Sequence, residues 1–192
     1  MTPSTDLLRR EDWEVRTCTL SRGTQLVEEL HYAKGAANTA TYRHGLFPKG
    51  GGAFESECVG VALWIPPTKS AALATFPENW QGVLSLSRLA IMDDVPKNAA
   101  SYLIGASMRL IDRKRWPCLV TYADTWQGHS GAIYEATNWH YVGETKPERT
   151  YVLNGRMVAR KAGPMTRTHA EMLALGAECV GSFPKRKFVH HA

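Results

Sequence analysis

The chain has 192 residues, of which 44% are hydrophobic, and it carries a net charge of +5. This length fits one domain, and no apolar run approaches the roughly 18 residues that a membrane-spanning helix needs. The sequence therefore excludes a helical transmembrane protein. Residues 1–12 are polar and of mixed charge, so we expect no secretory signal peptide and a cytoplasmic location.

Cysteines and other candidate metal ligands are dispersed along the chain. The cysteines are Cys18, Cys58, Cys118 and Cys179. Disulfide frameworks and zinc sites use clustered cysteines, so we expect four reduced, partly buried thiols. The remaining candidate ligands are equally scattered, so we expect them to lie apart and to form no metal site; the alternative is that they converge on an iron or zinc ion. These candidates are His31, His129, His140 and Asp124.

Positive charge is concentrated in the last quarter of the chain, from about residue 149. Only Glu171 and Glu178 oppose it there. The cations are Arg149, Arg156, Arg160, Lys161, Arg167, Lys185, Arg186 and Lys187. Such an excess favours binding to polyanions, which makes nucleic acid a candidate partner. The alternative is a solvated basic face without a partner.

The first third of the chain predicts a strand, a helix and a hairpin. Alternation predicts a strand over residues 13–20, and Ser21 is expected to cap a helix that runs to about Tyr32. Two further strands, over residues 41–47 and 58–65, are joined by a Pro- and Gly-rich turn, which is typical of a hairpin.

The middle of the chain has the clearest pattern. Residues 68–82 are predicted to be irregular, and residues 83–92 alternate strongly as a strand. Pro96 fits the first turn of a helix that continues to about Arg115, with apolar residues on one face. Residues 118–123 form another short apolar strand.

The last third predicts a helix over residues 128–138, a strand over 140–144, a hairpin around Asn154-Gly155 and a helix over 166–175 closed by Gly176. The order of elements indicates an α/β fold with a mixed sheet. We expect a single domain over residues 1–192, with a basic segment from about residue 149.

Arg88 is the first candidate site residue. It lies among apolar neighbours on the predicted strand 83–92, where a buried guanidinium must be paired or solvated. One interpretation is an ion pair with Asp93 or Asp124. The other is a clamp for an anion or substrate in a cleft.

The corner after strand 118–123 is the second candidate. Asp124 follows the strand directly, Trp126, Gln127 and His129 occupy the polar loop, and Tyr134 lies on the helix that follows. Ligands bind where the carboxyl ends of neighbouring strands part, so this corner supplies candidates for a base, an orienting group and an acid. Asp124 has an alternative role, in which it only ties the turn.

The start of the helix at Pro96 is the third candidate. Lys97, Asn98 and Ser101 surround its first N–H groups, which suits a phosphate or a carboxylate. Plain capping explains Asn98 equally well.

Residues 132–139, Ala-Ile-Tyr-Glu-Ala-Thr-Asn-Trp, resemble the A-x-x-L-Y-E-x-x-G-F signature of the GNAT acyltransferases. The resemblance implies a GNAT-like mixed central sheet flanked by helices, in which Tyr134 protonates the leaving thiolate. Asn138-Trp139 stands where the signature has Gly-Phe.

A longer stretch, residues 84–146, is similar to the core of the phage Mom proteins. It carries Leu-Ser-Arg-Leu at 86–89, Pro-Lys-Asn-Ala-Ala-Ser at 96–101 and Tyr-Ala-Asp at 122–124, followed by Gln-Gly-His-Ser-Gly-Ala-Ile-Tyr at 127–134. The resemblance implies that adenine in DNA is converted to N6-carbamoylmethyladenine, which protects phage DNA from host restriction. Carried over by position, the functional set is Tyr32, Arg88, Asp124 and Tyr134.

The resemblance extends to His31-Tyr32 and to the basic residues 184–188. We therefore expect His31 near the substrates, and DNA contacts from Lys185, Arg186 and Lys187. Double-stranded DNA is the expected partner, with tRNA as a second nucleic acid.

The expected donor follows from a departure at residues 95–100, Val-Pro-Lys-Asn-Ala-Ala. GNAT enzymes have a glycine-rich loop here that cradles the pyrophosphate of coenzyme A. The loop in this chain has no glycine, and its proline lacks an N–H donor. We expect an activated glycine donor, with glycyl-tRNA ahead of a coenzyme A thioester.

The mechanistic hypothesis assigns proton acceptance or relay to Asp124, oxyanion stabilisation to Arg88 and leaving-group protonation to Tyr134. Tyr32 or Trp126 would stack on the flipped adenine. Two alternatives stay open: a coenzyme A-dependent acetyltransferase acting on a small amine or protein lysine, and a non-catalytic DNA-binding accessory protein.

Overall fold

The computed structural model describes residues 6–31, 39–50, 54, 57–162 and 165–192. The helices within these residues are α1 (Leu20–Leu30), α2 (Lys69–Leu73), α3 (Ala99–Leu110), α4 (Ala132–Glu135) and α5 (His169–Ala174). Short 3-10 turns cover Arg10–Asp12, Pro77–Gly82 and Thr125–Gln127. In the part of the chain that is described, no helix is long and apolar enough to cross a membrane.

The strands belong to one large sheet and two small ones. The strands of the large sheet are β1 (Trp13–Thr17), β2 (Tyr42–Pro48), β3 (Gly60–Ile65), β4 (Val83–Ile91), β5 (Cys118–Asp124), β6 (His140–Glu144) and β12 (Lys185–His191). The other strands are β7 (Glu148–Leu153), β8 (Arg156–Val158), β9 (Lys161–Ala162), β10 (Met165–Thr166) and β11 (Glu178–Phe183).

The large sheet has the order β1-β2-β3-β4-β5-β12-β6. Its neighbours are antiparallel except for β4 and β5, which are parallel. The predicted α/β fold with a mixed sheet is therefore confirmed.

The parallel pair is joined over only three residues of each strand, Val83–Ser85 on β4 and Cys118–Val120 on β5. Beyond this point the two strands no longer pair. The Thr121 hydroxyl donates to the Leu86 carbonyl oxygen at 3.3 Å, and past it the strand ends part. This opening positions the candidate active site.

Both faces of the large sheet are covered. Because successive strand residues point to opposite faces, Leu46 packs in the core cluster under α3, whereas Phe47 packs in the cluster under α1. Leu103 and Ile104 of α3 are fully buried against the sheet. Each such side chain contributes about 1.5–3 kcal/mol by leaving water.

The chain segment between β6 and β12 forms a small additional layer. It contains the sheet β11-β7-β8, on which α5 packs through Met172 against Tyr151. The predicted hairpin at Asn154-Gly155 is confirmed, since both residues have the positive φ that this tight turn requires (51° and 73°).

Several predicted helix boundaries are wrong. The cap of α1 is Thr19, whose side chain accepts from the Arg22 N–H, and not Ser21, which lies inside the helix. The predicted helix 96–115 is confined to α3, and the Asp112 carboxylate then turns the chain by accepting from the Lys114 N–H at 3.0 Å.

The predicted helix over residues 128–138 is reduced to the four residues of α4, because Gly128 and Gly131 adopt left-handed conformations (φ 72° and 88°). The sequence predicts an irregular segment over residues 68–82, but these residues contain α2, capped by Thr68, and a 3-10 turn. The last helix begins later than predicted, at His169, and its N-cap Thr168 forms a capping box with Glu171 inside the helix.

Candidate active site

A cavity of about 690 Å³ lies where β4 and β5 part. Its walls are β4, the end of β5, the first turn of α3 and the loop that leads into α4. The lining residues are His31, Ser85, Leu86, Ser87, Arg88, Leu89, Ile91, Ala100, Tyr122, Ala123, Gly128, His129, Ser130, Gly131, Ala132, Ile133, Tyr134 and Lys185.

Arg88 supplies a guanidinium to the β4 wall of this cavity. The side chain is half-buried, and its Nη1 donates to the Ser87 carbonyl oxygen at 2.7 Å. A guanidinium held in a cavity wall suits the clamp interpretation, because its planar fork of N–H groups matches carboxylate, phosphate or a developing oxyanion.

Tyr134 faces the same cavity from α4. Its ring packs against Phe188 and Trp139, with centroid distances of 5.3 and 6.0 Å. Burial raises the pKa of Tyr134, partly offset by a hydrogen bond with the Thr121 side chain. The phenol therefore stays protonated near neutral pH and is able to act as an acid.

Gly131 brings α4 close to the sheet. A Cβ atom at this position would lie well inside van der Waals distance of the Phe188 ring. Only glycine allows this approach together with a φ of 88°. Gly131 therefore sets the position of Tyr134 relative to β12.

Asp124 is 7% exposed at the end of β5 and lies behind the cavity wall, outside the lining. Its Oδ1 accepts from the Trp126 N–H at 3.1 Å, and its carbonyl oxygen accepts from the His129 N–H at 3.3 Å. These contacts tie the turn, as one interpretation of the sequence expected. Trp126 and Gln127 also lie outside the lining, whereas the His129 side chain belongs to it.

The first turn of α3 already uses its polar groups within the chain. The Asn98 Oδ1 accepts from the Leu8 N–H at 2.6 Å, and the Lys97 N–H donates to the Asp6 carbonyl oxygen at 3.2 Å. The Ser101 hydroxyl donates to the Asn98 carbonyl oxygen. Lys97, Asn98 and Ser101 therefore lie outside the main cavity, which only Ala100 of this turn lines.

Comparison with known proteins decides the family. The Mom protein family model matches residues 12–182, most of the chain. The chain belongs to the Mom family. A curated relative, "Methylcarbamoylase mom" of Escherichia phage Mu, is 26% identical over 136 residues. That match covers 68% of this chain and 52% of the relative, so the chain spans about half of the relative's length.

Solved structures similar to this Mom family protein are N-acetyltransferases. Arabidopsis thaliana NAA60 in complex with acetyl-CoA has a TM-score of 0.58 at 10% identity, over 93% of this chain and 98% of that one. The ribosomal-protein-S18-alanine N-acetyltransferase of Escherichia coli has a TM-score of 0.53 at 9% identity, over 93% of each chain. These similarities show that the fold is GNAT-like.

Lys185, Arg186 and Lys187, which were expected to bind DNA, lie on β12 and have different surroundings. Lys185 is exposed and lines the main cavity. Arg186 donates to the Ser130 carbonyl oxygen and stacks over the Tyr141 ring, 4.6 Å from its centroid. Lys187 is half-buried and donates to the Ala74 carbonyl oxygen at 3.1 Å, and burial lowers its pKa.

The remaining predicted residues of the site are His31 and Tyr32. His31 lines the cavity. Tyr32 lies outside the described residues. Among the residues that the structure describes, no three side chains of His, Cys, Asp or Glu are grouped in a way that could hold a metal ion.

Sequence reasoning missed three features of the cavity wall. Thr121 bridges the parting strands and contacts Tyr134, Ser130 lines the cavity, and Gly131 fixes α4. The sequence does hold a signal for Gly131, since two glycines, at 128 and 131, interrupt a predicted helix. Thr121 has no such signal, because its role depends on strand pairing.

Proposed function

We propose that this protein is a transferase that modifies adenine in double-stranded DNA, giving N6-carbamoylmethyladenine. The observation that carries the proposal is a Mom family chain whose GNAT-like sheet opens into a cavity lined by Arg88 and Tyr134. The product would protect phage DNA from restriction in the cytoplasm of the bacterial host. The flipped base would enter the cavity, with the duplex outside it.

The donor in this proposal is activated glycine carried by tRNA. The turn before α3 does not fit the pyrophosphate of coenzyme A, because Pro96 has no N–H and the N–H groups of Lys97 and Ala99 donate to Asp6 and Pro96. An ester-linked glycine needs no pyrophosphate cradle. It needs an oxyanion site and an acid, which Arg88 and Tyr134 can supply.

The first step is aminoacyl transfer. The adenine N6 attacks the glycyl carbonyl carbon, a C–N bond forms, and the ester C–O bond to the tRNA ribose breaks. Arg88 stabilises the oxyanion. Tyr134 donates its proton to the departing ribose oxygen, and one proton leaves N6.

The second step is an isomerisation. The glycyl amine attacks C6 through a five-membered ring, and the original C6–N6 bond breaks. The original N6 becomes the side-chain amide nitrogen, so N6-glycyladenine becomes N6-carbamoylmethyladenine without gain or loss of atoms. No oxidant or reductant is required.

The proton from N6 has a candidate acceptor in the cavity lining. His31 and His129 both line the cavity, and a neutral imidazole is a general base. We assign the acceptor role to His129, which follows the Asp124 turn, and we assign to Asp124 the role of holding that turn and relaying the proton.

Two variants separate these roles. His129→Gln should lower the rate about 100-fold and abolish the acidic limb of its pH profile. Asp124→Asn keeps the Oδ1 contact with the Trp126 N–H, and it should lower the rate less while leaving that limb in place. If Asp124→Asn removes the limb and His129→Gln does not, Asp124 is the base.

An isotope experiment tests the chemical route. DNA labelled with ¹⁵N at adenine N6 is modified by the protein with unlabelled glycine and tRNA, and the nucleosides are analysed by tandem mass spectrometry. The label should appear in the side-chain carboxamide. A label that stays bonded to C6 would contradict the rearrangement.

A second candidate is a coenzyme A-dependent N-acetyltransferase acting on a small amine or protein lysine. The similarity to NAA60 in complex with acetyl-CoA favours it, and the occupied turn before α3 disfavours it. Tight acetyl-CoA binding, with turnover on amines other than DNA, would support this candidate over DNA modification.

A further inference from the structure

A second cavity of about 570 Å³ lies apart from the opening between β4 and β5. It is bounded by α3, the segment after α4 and the end of β12. Its polar and aromatic lining includes Arg10, Tyr102, Arg109, Arg113, Asn138 and His190. None of them belongs to the main cavity lining.

Among the described side chains that line this cavity, the permanently charged ones are arginines. Three arginines (Arg10, Arg109 and Arg113) line it, and no aspartate or glutamate of the described residues does. Within the described part of the chain, none of these arginines has a carboxylate within 4.0 Å, whereas Arg9 and Arg16 do. The arginines would therefore attract an anion in this cavity, and no side-chain carboxylate of the lining would compete with it.

Arg113 is incompletely satisfied. Its Nη2 donates to the carbonyl oxygens of Pro117 at 3.1 Å and His190 at 3.3 Å. Its Nη1 is buried and has no hydrogen-bond acceptor among the residues that the structure describes. Burial lowers the pKa of Arg113. A buried donor without a partner is unfavourable, and Arg113 belongs to the cavity lining, so its guanidinium is a candidate donor to a bound anion.

His190 adds a neutral donor. An arginine donates and never accepts, so the contact of 3.4 Å makes His190 Nδ1 the acceptor and leaves the proton on Nε2. Burial, together with the Arg113 charge, lowers the pKa of His190 and keeps the ring neutral. The Tyr102 ring is held nearby by its hydroxyl, which donates to the Trp13 carbonyl oxygen at 3.2 Å.

We propose that this second cavity binds the phosphate group of a nucleotide. Guanidinium groups match phosphate oxygens with paired, charge-assisted hydrogen bonds. The cavity volume falls in the range of about 300–1,000 Å³ that is usual for small-molecule sites. Tyr102 offers an aromatic surface on which a base can stack. The proposal is independent of the catalytic assignment, because it uses none of the main cavity residues.

Binding is tested directly, without an activity measurement. The full chain is titrated by calorimetry with inorganic phosphate, with AMP and with a dicarboxylate of matched charge, at fixed ionic strength. AMP should bind more tightly than phosphate, and the dicarboxylate should bind weakly or not at all. Equal binding of the dicarboxylate, or no binding of any phosphate compound, would overturn the proposal.

Two arginine variants provide the matched comparison. Arg109→Gln removes an exposed charge of the lining and should weaken AMP binding about tenfold. Arg115→Gln is the control, since Arg115 lies in the next turn, stacks over Trp116 and donates to the Gln81 carbonyl oxygen outside the cavity. Equal losses in both variants would show general electrostatic attraction and no site.

The source of the phosphate is distinguished by competition. If duplex DNA displaces AMP from the wild-type chain and Arg109→Gln weakens both ligands, the site accepts a phosphodiester. If DNA binds without displacing AMP, the site accepts a free nucleotide or a strand end. Both outcomes support a phosphate site.

Discussion

On the β1–β3 side of the central sheet, His44, Ser107 and Trp64 form a polar network closed to solvent, whereas at the opening between β4 and β5 the polar groups face a cavity. The Trp64 Nε1–H donates to the Ser107 hydroxyl oxygen at 2.7 Å, and that hydroxyl contacts His44 Nδ1 at 2.6 Å. The Ser107 hydroxyl therefore joins the Trp64 indole to the His44 imidazole, which is neutral because burial lowers its pKa to about 4.

The difference between the two sides follows from strand pairing. Antiparallel neighbours β1 to β4 stay paired along their lengths, so α3 seals polar groups against a continuous surface. The parallel pair β4–β5 ends after three residues, so polar groups beyond it meet a ligand-sized space. We infer that the closed network stabilises the fold and that the polar residues of the open cavity take part in the reaction. The following variants test this division.

The largest effect is expected at Arg88. Arg88→Ala should reduce the formation of modified deoxyadenosine by about 1,000-fold, because it removes the oxyanion donor from the cavity wall. Arg88→Lys should recover only part of the activity, since an ammonium lacks the planar fork. Mass spectrometry of nucleosides from cells expressing each variant provides the measurement.

The control for this loss is the thermal midpoint, which should be close to that of the wild type. If Arg88→Ala modifies DNA normally, the chemistry lies elsewhere. A DNA-binding accessory protein would also keep its function in this variant.

Gly131→Ala should destabilise the fold by about 3 kcal/mol or more, because the new Cβ would overlap the Phe188 ring in a left-handed backbone. Gly128→Ala is the matched variant. Gly128 also has a positive φ, but no atom of the described residues would lie within 4 Å of a Cβ added there, so a cost of about 1–2 kcal/mol is expected. Chemical denaturation measures both, and equal costs would contradict the close approach of α4 to β12.

Tyr134→Phe should lower the turnover rate about 100-fold and the free energy of unfolding by only about 1 kcal/mol. The ring contacts with Phe188 and Trp139 are kept, and the hydroxyl is lost together with its hydrogen bond to the Thr121 side chain. Single-turnover kinetics on a DNA duplex separates the chemical step from binding. A stability loss equal to the activity loss would indicate a structural hydroxyl.

The smallest effect is a pH dependence of stability on the closed side. Burial, assisted by the Arg43 charge, lowers the pKa of His44 to about 4 from an unfolded value of 6.5. The unfolded state therefore binds the proton first. The resulting stability is present above about pH 6.5, is lost as the pH falls towards 4, and amounts to about 2–3 kcal/mol.

Denaturation of the wild type and of His44→Gln near pH 7 and pH 5 checks this dependence. Glutamine does not titrate, so the variant should lose less stability than the wild type over the same interval. Parallel pH profiles of the two proteins would show that His44 is not the responsible group.

Local sequence patterns predicted much of the fold because they report on nearest neighbours. Alternation identified the strand at 83–92, a short apolar run identified the strand at 118–123, and Asn154-Gly155 identified a hairpin whose backbone only a few residue types adopt. Polar residues on strand 83–92 and after strand 118–123 led to the prediction that Arg88 and the corner at Asp124 belong to the site. Their common cavity follows once the two strands are adjacent.

The basic end of the chain shows what local patterns could not determine. Lys185, Arg186 and Lys187 suggested a solvated DNA-binding segment, but the structure places them on β12, between β5 and β6. Phe188 and Val189 are buried and hold the strand in the sheet. The pairing of β12 with β5 joins residues more than 60 positions apart, and only the tertiary structure reveals it.

The sequence by itself determined the class of fold, the family and the polar residues that follow the two central strands. The tertiary structure decided which of those residues face a shared cavity, where β12 inserts, and that arginines from two distant segments, Arg10 and the pair Arg109 and Arg113, border a second cavity. The physical reason is range: propensity and alternation act over a few residues, whereas a cavity is formed by the packing of segments distant in the chain.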